Sequence, residues 1–401
     1  MKVIYDQYNQ RIPIKMWLED IEDGAMEQAK NLSNLPFAVK HIAIMPDSHF
    51  GFGMCIGGVF ASNGVVIPNA VGKDIGCGMC AVKTPWTAEE INTDIIKKIM
   101  GEIRKAIPAG LGQQHKDKQN STLMPFIGNM NAKTWEEEYP ICAREYIKAL
   151  YQVGTLGSGN HFLELQKDSD NNIWIMIHSG SRNIGSQVAD YYNKLAKNLN
   201  KRWYSEVPEK YDLAFFPLDT DEGQSYMKEM QYCVDFALCN RKLMMNRIID
   251  IFENMMKDKK VDKDKTINIA HNYASMENHF GENVLIHRKG ATLARENTIG
   301  IIPGSQGTKS YIVKGKGNPD SFMSCSHGAG RVMGRKEAIR SLNLEEEQKK
   351  LNDQGIIHSI RNAKDLDEAA GAYKPIDIVM KNQQDLVEIL VELSPLAVIK
   401  G

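Results

Sequence analysis

Glycine-rich segments that carry or adjoin chemically reactive side chains constrain the fold of this chain more than any other feature. They lie at 51–80, 154–160, 178–185, 300–317 and 327–334. Glycine lets the main chain turn sharply and approach a ligand closely, and functional side chains concentrate on such loops. We therefore expect loops from distant parts of one fold to converge on a single site. Since no convincing linker divides the chain, residues 1–401 are predicted to form one catalytic domain.

Short apolar segments rich in β-branched residues and longer amphipathic segments both occur, which predicts strands as well as helices. Strands are predicted at 39–45, 57–60, 65–68, 173–177 and 311–313. Helices are predicted at 87–106, 186–199, 225–257 and 384–391, and the segment from about 186 to 260 is expected to be a helical elaboration of the domain. The strand segments are too short for independent helices, whereas apolar residues recur every three or four positions in the long helix.

Length and composition are those of a soluble globular enzyme. With 401 residues, of which 42% are hydrophobic and 25% charged, the chain can bury one large core or two ordinary ones. The 49 basic and 50 acidic residues nearly cancel, which argues against nucleic-acid binding mainly through bulk charge. No apolar run approaches the roughly 20 residues of a membrane helix. Seven cysteines without disulfide-framework spacing fit a reducing compartment, so a cytoplasmic protein without a membrane partner is expected.

Side chains that bind metals recur in these glycine-rich settings. Asp74 and Cys77 stand three apart between glycines, and a carboxylate beside a thiolate suits a borderline divalent ion. Asp47 and His49 stand two apart, which puts both on one face of an extended segment. Four histidines adjoin glycine loops or strand-like runs: His161, His178, His271 and His327.

A structural role for each histidine is the alternative. One histidine beside a strand is more often a hydrogen-bonded structural residue than a ligand. Four such histidines together with the pattern of Asp74 and Cys77 favour a metal site, because they offer more ligands than one tetrahedral ion needs. The structural interpretation is kept for His41, His115, His279, His287 and His358.

Two further segments indicate phosphate chemistry. In Pro303-Gly-Ser-Gln-Gly-Thr-Lys-Ser310, main-chain N–H groups and hydroxyls can hold a phosphate, although a tight turn between strands explains the segment equally well on its own. In His327-Gly-Ala-Gly-Arg331, with Arg335 beyond it, a nucleophile stands beside cations that can neutralise transferred phosphate. A helix start with surface arginines is the alternative there. Arg182, Arg288 and Lys289 add cations near other site segments, with a merely solvated side chain as the alternative for each.

Taken in order, these motifs resemble the RtcB family of RNA ligases, also called tRNA-splicing ligases or 3′-phosphate RNA ligases. The resemblance rests on Met45-Pro-Asp, Asp74-Ile-Gly-Cys-Gly, Gly157-Ser-Gly-Asn-His-Phe-Leu-Glu, His178-Ser-Gly-Ser-Arg, His271-Asn-Tyr-Ala, His287-Arg-Lys-Gly-Ala, Pro303-Gly-Ser, His327-Gly-Ala-Gly-Arg and Lys400-Gly401. It covers nearly the whole chain and implies an α+β fold. In that fold mixed β-sheets form a central core flanked by helices, and converging glycine-rich loops build the active site.

The resemblance also implies an activity. Enzymes of this kind use GTP as cosubstrate and two Mn²⁺ ions per active site to join RNA ending in a 3′-phosphate or 2′,3′-cyclic phosphate to RNA with a 5′-hydroxyl. The reaction passes through a guanylated histidine and an activated RNA-(3′)pp(5′)G end, and it serves RNA repair or tRNA splicing. An archease-like activator is a candidate partner, while the natural RNA and the oligomeric state stay open.

Roles carry over to individual residues through the resemblance. His327 matches the guanylated nucleophile, and Asp47 matches the carboxylate that orients its ring. Cys77 matches the ligand that bridges both ions, with His161 and His178 completing one site and Asp74 and His271 the other. The role of His49 is left open.

The nucleotide and RNA sites carry over in the same way. The guanylate pocket maps to Asn160, His161, Phe162, Leu163, Glu164, His271, Asn272, Pro303, Gly304, Ser305, Gln306, Ser310, His327, Gly328, Ala329, Gly330, Tyr373 and Lys400. Candidates for binding RNA phosphates are Arg182, Lys289 and Arg335. A dinuclear metallophosphoesterase acting on RNA ends is the alternative, because it needs the same metal ligands but neither a nucleotide pocket nor a nucleophilic histidine.

Overall fold

In a computed structural model, two large β-sheets form the framework of the protein. The structure describes residues 1–119 and 132–401. The strands are β1 (Lys2–Ile4), β2 (Ile14–Met16), β3 (Ala38–His49), β4 (Ile56–Ser62), β5 (Val65–Val66), β6 (Gly78–Thr87), β7 (Phe162–Lys167), β8 (Asn172–Ser179), β9 (Phe216–Pro217), β10 (Ile267–Ala270), β11 (Asn272–His279), β12 (Glu282–Lys289), β13 (Ala291–Leu293), β14 (Ile299–Ile302), β15 (Ser310–Gly315), β16 (Ser324–Ser326) and β17 (Val387–Lys400). The helices are α1 (Asp23–Ser33), α2 (Pro68–Val71), α3 (Thr93–Ala106), α4 (Ala132–Glu138), α5 (Pro140–Gln152), α6 (Arg182–Arg202), α7 (Asp221–Met256), α8 (Arg335–Ser341), α9 (Leu344–Asp353) and α10 (Ile376–Lys381).

The two sheets differ in strand direction. The six-stranded sheet has the order β1-β2-β3-β4-β12-β11, and its β2–β3 pair is parallel while its other pairs are antiparallel. The seven-stranded sheet has the order β10-β6-β8-β7-β17-β15-β14 and is antiparallel throughout. Helices pack against these sheets, so the α+β architecture expected from the resemblance is confirmed.

The long helix α7 is held by core packing. Its side chains Met244, Met245 and Ile248 lie in one hydrophobic cluster with Val82 of β6 and Ile175 of β8. The methionine-rich stripe of this helix is therefore core, because it supplies the apolar face that covers the seven-stranded sheet.

Most predicted elements are confirmed with shifted boundaries, but one is wrong. The segment 384–391 is predicted as a helix, whereas its second half belongs to β17, which begins at Val387. There Val387 pairs with Gly315, and Val391 pairs with Ile312 in the neighbouring strand. Pairing with β15 on one side and β7 farther along overrides the three- and four-residue spacing of the leucines and isoleucine. Smaller shifts put Pro68 at the start of α2 and begin α3 only at Thr93.

Two expectations about the whole chain can be compared with the structure. All seven cysteines are buried and free of disulfide bonds, as their spacing predicts. Within the described ranges, no helix combines the length and the apolar content that a membrane crossing requires.

Candidate active site

The register of the seven-stranded sheet brings distant metal-ligand residues together at one end. Gly78, at the start of β6, pairs with β10 on one side and β8 on the other, which places Cys77 next to His271 and His178. The main-chain N–H of His271 donates to the carbonyl of Cys77 at 2.8 Å. Because β7 pairs with β8 so that Phe162 lies opposite His178, the preceding residue His161 joins the same cluster.

Two groups of ligand atoms share the thiol of Cys77. One group consists of Asp74, Cys77 and His161, and the other of Cys77, His178 and His271. Sγ of Cys77 lies 3.5 Å from Nε2 of His161 and 3.3 Å from Nε2 of His178. Within the groups, His161 Nε2 lies 3.0 Å from Asp74 Oδ2, and the Nε2 atoms of His178 and His271 are 3.4 Å apart.

Proximity of ligand atoms does not assign them to individual ions, so the assignment implied by the resemblance stays a prediction. His161 and His178 were expected to complete one ion site, and Asp74 and His271 the other. In the structure Asp74 lies beside His161 and His178 beside His271, and Cys77 lies in both groups. Sequence order contains no information about which neighbours of a shared ligand face each other, because that depends on the sheet register.

The imidazole rings are oriented as metal ligands need to be. Nδ1 of His161 lies 2.9 Å from the carbonyl oxygen of Leu156, and Nδ1 of His178 lies 3.1 Å from that of Asn160. A ring whose Nδ1 donates to a carbonyl can offer the lone pair of Nε2 to a metal ion once Nε2 carries no proton. Imidazole, carboxylate and thiol donors around one shared sulfur therefore fit a pair of divalent transition-metal ions.

Burial sets the protonation of this cluster. Burial favours a raised pKa for Asp74, but the hydrogen bond and charge of His161 outweigh it and bring the pKa to about 2. Burial and the nearby Asp74 charge raise the pKa of the Cys77 thiol well above its usual range. Burial lowers the pKa of His178 and of His271, so both rings are neutral. A cation bound here would have to displace the proton of Cys77, because the thiolate is the ligand.

His327 is fixed by the carboxylate of Asp47. Oδ2 of Asp47 lies 2.6 Å from Nδ1 of His327 and accepts the main-chain N–H groups of His327 at 3.0 Å and Gly328 at 3.2 Å. Burial favours a raised pKa for Asp47, but the charge and hydrogen bond of His327 outweigh it, so the pKa is lowered. The His327 ring centre is 4.7 Å from that of His271, so the ring lies beside the ligand cluster.

Glycine is required at two of the close approaches that build this site. A Cβ on Gly180 would lie 2.2 Å from Oδ1 of Asp74. Gly330 has a φ of +75°, and a Cβ there would lie 2.1 Å from the carbonyl oxygen of Asp47. The glycines in these two motifs thus let the main chain pass directly against the carboxylate residues.

A cavity of about 670 Å³ opens beside His327. Most predicted guanylate-pocket residues line it: Asn160, Phe162, Glu164, Pro303, Gly304, Ser305, Gln306, His327, Gly328, Ala329, Gly330, Tyr373 and Lys400. Metal-ligand candidate His178 and the unassigned His49 line it as well. The loops predicted to handle phosphate therefore face the same space as the histidine predicted to be the nucleophile.

Strand alternation separates the pocket residues of β7. Phe162 and Glu164 line the cavity, whereas the side chain of Leu163 lies in the hydrophobic cluster on the other face. Glu164 accepts a hydrogen bond of 2.6 Å from Gln166, which also donates to Ser310 at 3.0 Å. Burial raises the pKa of Glu164 to about 7.

Other predicted residues hold the main chain around the site through hydrogen bonds. The amide of Asn272 donates to the carbonyl of Asp74 at 3.0 Å and accepts the N–H of Gly290 at 2.7 Å. Ser310 accepts the N–H of Gly304 at 3.2 Å, which holds the 303–310 loop. His271 and His161 lie in the ligand cluster and do not line the cavity itself.

The three predicted phosphate-binding cations lie in different settings. Arg182 lies against His161, with its Nη1 3.4 Å from Nδ1 of that ring. Arg335 is at the cavity rim with 53% of its side chain exposed. Lys289 is buried, and its ammonium donates to the carbonyls of Phe52, Met54 and Asn69 at 2.5, 3.0 and 3.0 Å. Its donors are directed at main chain, so the structure does not bring Lys289 to the site as a free cation.

One further pocket residue, Glu368, has no recognisable signal in the sequence. Its buried carboxylate accepts Nε of Arg335 at 2.8 Å, pairs with Nη1 of Arg331 at 3.1 Å and binds the hydroxyl of Tyr373. It follows no glycine motif, and a lone glutamate in a polar segment is ordinarily exposed. Only the fold shows that it anchors one wall of the cavity.

Comparison with known proteins identifies the sequence relatives of this chain. The family model described as tRNA-splicing ligase RtcB matches residues 28–401. RNA-splicing ligase RtcB of Escherichia coli (strain K12) is 39% identical over 405 residues, which cover 97% of each chain. tRNA-splicing ligase RtcB of Methanococcus maripaludis is 33% identical over 98% of this chain and 95% of that protein. The protein of the same name from Nanoarchaeum equitans is 33% identical over 97% and 95%.

Proposed function

The chain belongs to the RtcB family of tRNA-splicing ligases, and from this premise we propose that it is a GTP- and Mn²⁺-dependent RNA ligase. It joins an RNA 3′-phosphate or 2′,3′-cyclic phosphate end to a 5′-hydroxyl end in RNA repair or tRNA splicing. The observation that carries this proposal is the 2.6 Å contact of Asp47 with Nδ1 of His327, next to a thiol-centred cluster of metal ligands.

His327 is the nucleophile of the first step. Its Nε2 attacks the α-phosphorus of GTP, a nitrogen–phosphorus bond forms, and the bond to the β-phosphate oxygen breaks so that pyrophosphate leaves. Asp47 holds the Nδ1 proton and stabilises the positive charge that develops on the ring, as a carboxylate does for a catalytic histidine. The three hydrogen bonds to one Asp47 oxygen support this role, because they fix the ring before the reaction.

RNA takes part in the later steps. An oxygen of the RNA 3′-phosphate attacks the guanylate phosphorus, which frees His327 and leaves a diphosphate-linked RNA-(3′)pp(5′)G end. The 5′-hydroxyl of the second RNA then attacks the 3′-phosphorus and GMP leaves; a cyclic phosphate must first be opened by hydrolysis. Arg182 and Arg335 are candidates for neutralising the RNA phosphates in these steps.

The metal ions would be held by two groups of ligands that share Cys77. Asp74, Cys77 and His161 form one group, and Cys77, His178 and His271 the other. When bound there, Mn²⁺ would supply positive charge that stabilises phosphate oxygens in the transition state.

Guanine is recognised by Glu164. Its carboxylate lines the cavity and is buried, and it can accept from the N1–H and N2–H donors of a guanine ring. Adenine presents an acceptor at N1, so the same carboxylate would face a lone pair.

Unpaired, buried cysteines support a cytoplasmic location, which we also propose. An archease-like activator stays a candidate partner.

Labelled GTP tests the proposal. Incubation with Mn²⁺ and α-labelled GTP should give an acid-labile guanylated protein that is absent in His327→Ala. Joining of a 3′-phosphate RNA to a 5′-hydroxyl RNA should require the same residue. A protein that hydrolyses RNA phosphate ends but is never guanylated would instead be a dinuclear metallophosphoesterase.

A further inference from the structure

Three exposed apolar side chains line the active-site cavity. Phe50 is 57% exposed, Phe52 is 77% exposed and Val332 is 54% exposed, and all three line the cavity that contains His327. Single exposed apolar residues are common on protein surfaces, whereas two aromatic rings that line a functional cavity are candidates for ligand contact.

Hydrogen bonds hold the main chain of the loop that carries the two rings. It directly follows β3, the strand that contains Asp47. The ammonium of Lys289 binds the carbonyls of Phe52 and Met54, and the amide of Gln28 makes two hydrogen bonds with the main chain of Gly51, at 2.7 and 3.1 Å. With its backbone fixed in this way, the loop displays its aromatic rings at little further cost in conformational entropy.

The two rings differ in their support. The Phe50 ring lies against Gly24 of α1, where a Cβ would come within 2.8 Å of its Cδ2 atom. Phe52 is the more exposed ring. Among the described residues, neither ring packs against another aromatic side chain. The exposed parts of both rings are available for contact with an external ring.

We propose that Phe50 and Phe52 form a stacking platform for unpaired bases next to the RNA ends that enter the cavity. This inference rests on the proposed function. Single-stranded RNA presents flat bases that stack on aromatic side chains whatever their sequence. The platform opens into the cavity of His327, and Arg335 on the same rim provides a partly exposed guanidinium for the adjoining backbone. Lys289 is then a positioning residue, which supports the platform instead of binding RNA phosphate.

Fluorescence of 2-aminopurine, which stacking quenches, provides the direct test. The probe base is placed beside the end of a 3′-phosphate RNA or of a 5′-hydroxyl RNA, each offered alone and without GTP, so that no joining occurs. Wild-type protein should quench the probe on at least one of the two RNAs, which identifies the strand that uses the platform. Phe52→Leu keeps apolar bulk but removes the π-face, and it should weaken binding about fivefold to about a hundredfold, the range of one lost base stack.

Matched variants separate stacking from other effects. Phe52→Trp should restore quenching, whereas Tyr204→Leu, which removes a 92% exposed aromatic residue outside the cavity, should behave as wild type. In steady state, Phe52→Leu should raise the KM for RNA while guanylation with GTP alone keeps its wild-type rate.

Several outcomes would overturn the platform. Unchanged quenching and unchanged RNA KM in Phe52→Leu would do so. Loss of RNA binding in Phe52→Ser but not in Phe52→Leu would mean that apolar contact alone matters, as for a protein partner. Failure of the proposed function is distinguishable, because wild-type protein would then not be guanylated at all while RNA quenching could still be measured.

Discussion

Nδ1 of His327 lies 2.6 Å from the carboxylate of Asp47, a residue 280 positions earlier in the chain. The same carboxylate oxygen accepts two main-chain N–H groups, so the ring and the backbone around it are fixed together. A neutral ring held in this way carries its proton on Nδ1 and leaves Nε2 free to attack an electrophile.

Asp47→Asn should slow guanylation of His327 without unfolding the protein. The amide keeps the size of the side chain but cannot stabilise the developing positive charge, and we expect the rate to fall about 10²- to 10⁴-fold. Single-turnover labelling with α-labelled GTP measures this rate. Asp353→Asn, at an exposed position on α9, should label normally. A near-normal rate in Asp47→Asn would refute the orienting role.

Cys77→Ser should lower bound Mn²⁺ and abolish guanylation. The thiol is the one ligand shared by both groups, and a hydroxyl is a poor bridge between two cations. Metal content after dialysis gives the measurement. Cys80→Ala removes a buried thiol that lies in the hydrophobic core three residues along, so it should keep its metal. Full metal content in Cys77→Ser would exclude the shared-ligand arrangement.

The grouping of the other ligands has its own test in combined substitutions. Asp74→Ala and His161→Ala should each release the same ion, so the double variant should lose no more metal than either single one. Combining Asp74→Ala with His271→Ala should release both ions, because the two residues lie in different groups here but at one ion in the arrangement implied by the resemblance. Titration of the metal content of each variant distinguishes this grouping from the one expected by resemblance.

Glu164→Gln should change both nucleotide choice and the pH dependence of stability. Burial raises the pKa of Glu164 from 4.5 to about 7, so the unfolded chain releases this proton first. The contribution of Glu164 to the free energy of unfolding is therefore greatest below about pH 4.5, and it falls as the pH rises toward about 7. The change is at most about 3 kcal/mol. Glutamine cannot ionise, so the variant should lack this part of the decline and should also discriminate less between GTP and ATP.

Urea unfolding of metal-free and nucleotide-free protein at pH 5 and pH 8 measures this effect. Between pH 5 and pH 8 the free energy of unfolding of Glu164→Gln should rise relative to that of wild type. Glu27→Gln, at an exposed position on α1, provides the control for removing a carboxylate. Identical pH slopes for wild type and Glu164→Gln would show that Glu164 ionises freely in the folded protein.

Local sequence patterns predicted the structure best where the burial of a segment leaves a periodic pattern in its own residues. The three- and four-residue spacing of α7 and the β-branched runs of β3 and β8 predicted these elements, because burial of one helix face or of a central strand leaves a periodic trace. The local pattern failed at 384–391, which was predicted as a helix, because pairing with the neighbouring strand β15 decides the conformation there. It also gave no sign of Glu368, whose burial depends on residues from other segments.

By itself the sequence determined the chemical types of the site: a thiol, carboxylates and imidazoles set among glycines, in an order that resembles one ligase family throughout. Only the tertiary structure decided how they combine. The register of β6 with β8 and β10 pairs the ligands around Cys77, and the approach of β3 to His327 aims its ring. These relations join residues far apart in the chain, and through-space distances follow from packing and strand register, which no single local pattern encodes.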